Sequence, residues 1–227
     1  MSNIVYGKNS FFEALNNKRI IMAYVLNDAE IKDYRIPYKI VDRKKLDKMS
    51  KSGNHQGYLA EVKDFKMSNV DEMIKDKNGL IVMLDGLEDV HNLGAIIRTC
   101  DCAGVDGVIY KEHNSVKVND TVAKVASGAL EYVKVAEVTN LVNTIKKLKE
   151  KGYWIVGADG NCDTLYTDLK YDFNTVLIIG SEGKGISRLV KQECDYIVKL
   201  PMVGHVTSLN ASVAAGILIY NITNSRK

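Results

Sequence analysis

The spacing of apolar and polar positions changes character at about residue 66. From Gly79 onward, short apolar runs alternate with longer segments of helical spacing. Residues 80–84 are apolar throughout, as expected of a strand covered on both faces. Leu93, Ile96, Ile97, Cys100 and Ala103 stand at i, i+3, i+4, i+7 and i+10. That spacing predicts a helix over 92–103, with Gly104 as its stop. The same pattern predicts strands at 107–110, 132–135, 153–158, 175–179 and 196–199. Helices are expected at 120–127, 141–149 and 187–193, with a closing helix at 209–221. Alternating strands and helices predict an α/β fold with a parallel sheet covered on both faces.

The first 66 residues read as a separate small α/β domain. Ser10 can cap a helix carrying Phe11, Phe12, Ala14 and Leu15. Strand candidates follow at 21–26, 39–41 and 58–62, with a variable stretch around Pro37 and a charged helix near 43–49. Residues 67–78 are expected to link this domain to a larger one over 79–227.

Composition narrows the class. With 46% apolar and 26% charged residues, the 227-residue chain reads as soluble and globular. No apolar run approaches a membrane span, and the first residues lack signal-peptide shape, so a cytoplasmic location is expected. Cys100, Cys102, Cys162 and Cys194 fit no zinc spacing, and no metal is expected. Residues 1–66 carry 13 Lys+Arg against 8 Asp+Glu, a surplus of +5, whereas the remainder carries 18 against 20. A basic first portion suits a polyanion, although such a surplus is common on ordinary surfaces.

Parallel α/β sheets bind ligands at the carboxyl ends of their strands, so the loops after strands are the places to look. The loop after Ile179 reads Gly180-Ser181-Glu182-Gly183-Lys184-Gly185. It is neither a dinucleotide fingerprint nor a phosphate-binding Walker loop, because its spacing is GxxGxG and Gly follows Lys184. Its three glycines permit close backbone approach to a ligand, or simply a tight turn. The segment after Leu84 reaches Asn92, a candidate helix cap, and Arg98, which stands among apolar helix positions. A third stretch runs Leu200-Pro201-Met202 through Thr207-Ser208-Leu209-Asn210. Thr207 or Ser208 can cap the last helix, which places Leu209, Val213, Gly216, Ile217 and Tyr220 on one face. Capping does not account for Asn210.

These stretches resemble three motifs of the SpoU–TrmH family of RNA ribose methyltransferases, of the SPOUT class. The first is Asn92-Leu93-Gly94-Ala95-Ile96-Ile97-Arg98-Thr99. The second is Ile179 to Ile186, and the third is Leu200-Pro201-Met202 with Ser208-Leu209-Asn210-Ala211-Ser212. They occur in the family's order. Val5-Tyr6-Gly7-Lys8-Asn9-Ser10 and His55-Gln56-Gly57 are similar to the small ribosomal-protein-like, RNA-binding domain of the RlmB-like subgroup, which methylates a guanosine of 23S rRNA. Tyr58-Leu59 departs from the aliphatic pair usual there.

The resemblance implies a C-terminal trefoil knot, a homodimer and S-adenosylmethionine as cofactor, cradled by Gly180, Gly183, Leu200, Met202 and Leu209. It implies Arg98 as the main catalytic residue, with Asn92, Glu182, Ser208 and Asn210 positioning the reacting groups. The strong basicity of a guanidinium favours Arg98 as a phosphate clamp and hydroxyl activator over a base. Glu182 is the other candidate proton acceptor. A guanosine of 23S rRNA is the expected target. A tRNA ribose, an antibiotic-resistance methyltransferase, and a non-catalytic RNA-binding module of the same fold stay open as alternatives.

Overall fold

A computed structural model describes residues 3–50, 54–113 and 115–226. The chain forms two compact units, Met1–Lys66 and Met67–Lys227.

The first unit is a four-stranded sheet in the order β1-β4-β2-β3, formed by β1 (Asn3–Tyr6), β2 (Ile20–Val25), β3 (Tyr38–Ile40) and β4 (Tyr58–Val62). Helix α1 (Lys8–Asn16) buries Phe11, Ala14 and Leu15, which join Val5, Ala23 and Tyr58 in one core. Ser10 is not its cap. The helix starts one turn earlier, behind Gly7 at φ 88°. Helix α2 (Arg43–Ser50) carries Asp47, which bonds the buried His55 ring at 3.0 Å. The other ring nitrogen of His55 accepts from Gly57 N at 2.9 Å. This ring holds a turn in which Gln56 (φ 52°) and Gly57 (φ 87°) are both left-handed. Gln56 Oε1 then accepts from Lys8 N at 3.0 Å. The segments around residues 5–10 and 55–57 thus meet.

The second unit is a six-stranded, all-parallel sheet in the order β10-β8-β9-β5-β6-β7. Its strands are β5 (Leu80–Asp85), β6 (Gly107–Lys111), β7 (Lys134–Val138), β8 (Trp154–Ala158), β9 (Thr175–Gly180) and β10 (Tyr196–Val198). Every residue of β5 is buried. Helices α3 (Val90–Ala103) and α7 (Ala211–Ser225) share one core, which includes Leu93, Ile97, Leu218 and Ile222. Helix α5 (Leu141–Glu150) and the short α6 (Arg188–Gln192) contribute Leu141, Ile145, Leu148 and Val190 to the other. Helix α4 (Asp120–Ala126) packs on α3, where Gly94 has no room for a side chain. A Cβ there would stand 2.7 Å from Val125.

Three expectations need correction. Residues 67–78 are not a free linker. Ser68 N donates to Val135 O, Asn69 caps a 3-10 turn over Val70–Met73, and Met73 is buried beneath Gly107. Met73, with Met67, Val70 and Ile74 packed against the cores, thus anchors the segment. Strand β7 begins at Lys134, because residues 129–131 form a 3-10 turn instead. Helix α7 turns Val213, Ile217 and Tyr220 outward and buries Ala211, Ala215, Leu218, Ile219 and Ile222.

Strand order decides where a site can form. The chain builds outward from β5 through β6 and β7, then returns to place β9 on the other side of β5. Helix α3, after β5, joins one core and α6, after β9, joins the other, so the chain parts at the carboxyl edge.

Candidate active site

A cavity of about 420 Å³ lies at that edge, beside β8, β9 and β10. Ile179, Val198, Leu200 and Leu209 supply apolar wall; Asp159, Asn161, Glu182, Thr207 and Ser208 supply polar groups. Gly180, Gly183, Lys184 and Met202 also line it.

The glycines of the second motif divide the work. A Cβ on Gly180 would stand 2.1 Å from the carbonyl carbon of Gly185. Its missing side chain lets the turn 181–185 fold back over the end of β9. Ser181 N donates to Gly185 O at 3.1 Å, and Gly185 N returns to Ser181 O at 2.9 Å. Gly183 (φ 82°) and Gly185 (φ 65°) are required by backbone conformation, which side chains disfavour there. Gly180 therefore serves turn closure first, and close ligand approach only through it. Below the turn, buried Asp85 accepts from Ser187 N at 2.7 Å and fixes the start of α6.

The turn directs Glu182 toward α3 and α7. Its Oε1 accepts from Asn92 Nδ2 at 2.7 Å and from Asn210 Nδ2 at 3.0 Å, with Ala211 N at 3.5 Å. One carboxylate oxygen thereby ties together all three motifs. Asn92 is only 4% exposed, so its amide relies on this acceptor. It does not cap α3; Asp89 does, accepting from His91 N at 2.8 Å. Nor do Thr207 or Ser208 cap α7. Asn210 is the cap, its Oδ1 accepting from Ser212 N and Val213 N at 2.9 and 3.4 Å. Asn210 therefore uses its oxygen to start a helix and its nitrogen to hold Glu182.

Arg98 lies apart from the cavity wall. It is exposed on α3, and its Nη1 donates to Ser127 Oγ at 3.4 Å. Six residues beyond Asn92, it stands about 9 Å further along the helix axis. Gly180, Gly183, Leu200, Met202, Leu209, Ser208 and Glu182 line the cavity together, and Asn92 and Asn210 meet through Glu182.

Asp159, the first residue beyond β8, is a cavity group that sequence reading overlooked. Its Oδ2 accepts from Lys191 Nζ and its Oδ1 from Asn161 N, both at 2.8 Å. The rule that found the loop after β9 applies equally to the loop after β8 and would have found it. Burial works against its charge. The hydrogen bond from Lys191, then that from Asn161 N, outweigh burial and hold the carboxyl below its usual range.

Comparison with known proteins finds clear relatives. The model of the SpoU rRNA Methylase family matches residues 79–220, and that of RNA 2′-O ribose methyltransferase substrate binding matches residues 4–68. A protein of Staphylococcus haemolyticus described as a TrmH family tRNA/rRNA methyltransferase is 48% identical over 200 residues, covering 86% of this chain and 80% of its own. The similarly described YacO of Bacillus subtilis is 40% identical over 238 residues, covering 98% of this chain and 95% of its own. Among solved structures, the SpoU methyltransferase AviRb of Streptomyces viridochromogenes, in complex with the cofactor AdoMet, superposes with a TM-score of 0.81 at 22% identity. That match covers 99% of this chain and 90% of that one.

Proposed function

Because the chain belongs to the SpoU rRNA methylase family, as an RNA 2′-O-ribose methyltransferase, we propose that it moves a methyl group from S-adenosylmethionine to the ribose 2′-hydroxyl of a guanosine in 23S rRNA. The observation that carries this reading is the convergence of the three motifs on Glu182 Oε1 at the rim of the cavity. The resemblance around Val5–Ser10 and His55–Gly57 favours ribosomal over transfer RNA, and the basic surplus of residues 1–66 suits either.

The cavity fits the cofactor in size and chemistry. Ile179, Val198, Leu200 and Leu209 offer apolar surface for a flat base, beside polar groups for a sugar and an amino acid. The turn of Gly180 and Gly183 keeps one wall free of bulky side chains. When bound, S-adenosylmethionine supplies a methyl group activated by its sulfonium. The chain's own part is to orient the hydroxyl and accommodate its proton. In this reading the guanidinium of Arg98 clamps an RNA phosphate at the mouth and polarises the hydroxyl. Its exposure outside the cavity suits contact with a large substrate. Asn92, Glu182 and Asn210 hold the turn, while Ser208 presents a hydroxyl to the cavity.

We include the trefoil knot and the homodimer in the same proposal. The segment 200–209 and the turn 181–185 wall one cavity, as a threaded chain would arrange them. Val213, Ile217 and Tyr220 of α7 are 49%, 38% and 45% exposed, an apolar row that suits a second copy. Among the described residues no helix is long and apolar enough to cross a membrane. A substrate on the ribosome implies a cytoplasmic place of action.

The test is methyl transfer from labelled cofactor to total RNA, followed by mapping of the modified ribose. Label in a 23S guanosine supports the reading, and label confined to tRNA or absent overturns it. Arg98→Ala should abolish transfer and leave cofactor binding intact.

A further inference from the structure

We propose that Asp159 recognises the ribose diol of the nucleoside cofactor. The inference rests on the reading that this cavity holds S-adenosylmethionine. Among the described residues, Asp159 and Glu182 are the two carboxylates that line the cavity. Glu182 is committed through Oε1 to Asn92, Asn210 and Ala211 N. Asp159 is committed differently. Its side chain is 12% exposed, and each oxygen takes one donor, Asn161 N on Oδ1 and Lys191 Nζ on Oδ2.

A carboxylate has about four acceptor positions. Two are used among the described residues, and two remain, one on each oxygen. Their orientation is fixed by the two bonds already made. A vicinal diol presents two hydroxyl donors side by side, which is the complementary arrangement. The space in front is kept clear by Gly185, where a Cβ would stand 3.8 Å from Oδ2 and where φ of 65° disfavours any side chain.

Charge separates the diol from the other donor on such a cofactor, the ammonium of its amino-acid end. Lys191 already compensates Asp159, so the pair attracts a further cation weakly. Hydrogen-bond acceptance survives that compensation. Burial acts against the ionised form, yet the bonds from Lys191 and Asn161 hold the carboxyl below its usual range, so the acceptor is charged at neutral pH. A purely turn-closing aspartate needs the bond from Asn161 N. It needs neither a lysine from α6 nor a place on the cavity wall.

The test is calorimetric binding of S-adenosylhomocysteine and of its 2′,3′-dideoxy analogue to the full chain. Wild-type protein should bind the analogue at least about tenfold more weakly. Asp159→Asn should weaken S-adenosylhomocysteine by at least about tenfold and leave the analogue within about twofold of wild type. Lys191→Met keeps the carboxylate, so discrimination against the analogue should persist; its disappearance would overturn the assignment. Equal weakening of both ligands by Asp159→Asn would also overturn it, and so would unchanged binding of both. If wild-type protein binds neither ligand, the cavity reading itself falls and the assignment with it.

Discussion

Gly180→Ala tests whether the turn over β9 is a rigid part of the site. The new methyl would stand 2.1 Å from the Gly185 carbonyl carbon and 2.4 Å from both its oxygen and Ile186 N. All three are backbone atoms, so no rotamer change relieves the clash. Reaching ordinary contact near 3.4 Å requires the turn to lift by about 1.3 Å. Overpacking of this kind costs about 1–3 kcal/mol, which lowers Tm by about 2–12 °C in a domain of this size. The same lift carries Glu182 away from Asn92, stretching a 2.7 Å hydrogen bond beyond useful range. Misplacement by about 1 Å near a reacting centre can cost on the order of a hundredfold in rate. Gly204→Ala is the control, since nothing lies within 4 Å of its added methyl and its φ is unexceptional. The assay is thermal unfolding together with single-turnover transfer of labelled methyl to ribosomal RNA. Turnover within about twofold of wild type and an unchanged Tm in Gly180→Ala would refute the argument.

Glu182→Ala leaves the Asn92 amide buried without its acceptor, at a cost of about 1–3 kcal/mol, and should cut turnover by about a hundredfold. Glu182→Gln restores an acceptor oxygen and should recover most of the stability in denaturant titrations. Arg226 closes α7 by donating to the carbonyls of Tyr171, Asn78, Gly79 and Phe173 and to Thr175 Oγ1. Arg226→Ala should cost about 2–4 kcal/mol, visible as a lower denaturant midpoint. Burial pushes the Tyr171 hydroxyl up to about 12, so folding favours its neutral form. That stability is fully present below pH ~10 and is lost as pH rises from 10 through 12. Melting curves across that range should show the loss, and Tyr171→Phe should flatten it.

Much of the second unit was legible because its strands are buried on both faces. The unbroken apolar run at residues 80–84 and the helical spacing from Leu93 to Cys100 each match an observed element. The three SpoU-like stretches also fall at or after the carboxyl ends of β5, β9 and β10. Helix starts were harder to read. Ser10, Asn92 and Thr207 or Ser208 are all good capping types, but the structure uses Gly7, Asp89 and Asn210. A cap depends on where the preceding chain enters, which local composition does not encode. Amphipathic spacing found a face on α7 but not its direction, because the small residues Ala211 and Ala215 lie on the buried face with Leu218, Ile219 and Ile222. The place of Asp159 after β8 was legible, but its bond to Lys191, 32 residues away, was not.

The position of β5 also bears on how the protein must be made. Leu80 pairs with Thr175, and the pairing continues to Asp85 with Gly180. During synthesis, therefore, one edge of a strand that is apolar from Leu80 to Leu84 waits for a neighbour about 95 residues downstream. At typical elongation rates of about 5–20 residues per second, that wait lasts on the order of 5–20 s. An unpaired apolar edge over such a time is a template for aggregation, and slow long-range parallel pairing prolongs it. Recovery of soluble protein should therefore depend on growth temperature and on chaperones that shield nascent strands. The cavity, lined by residues from Ala158 to Ala214, forms only when nearly the whole chain has emerged.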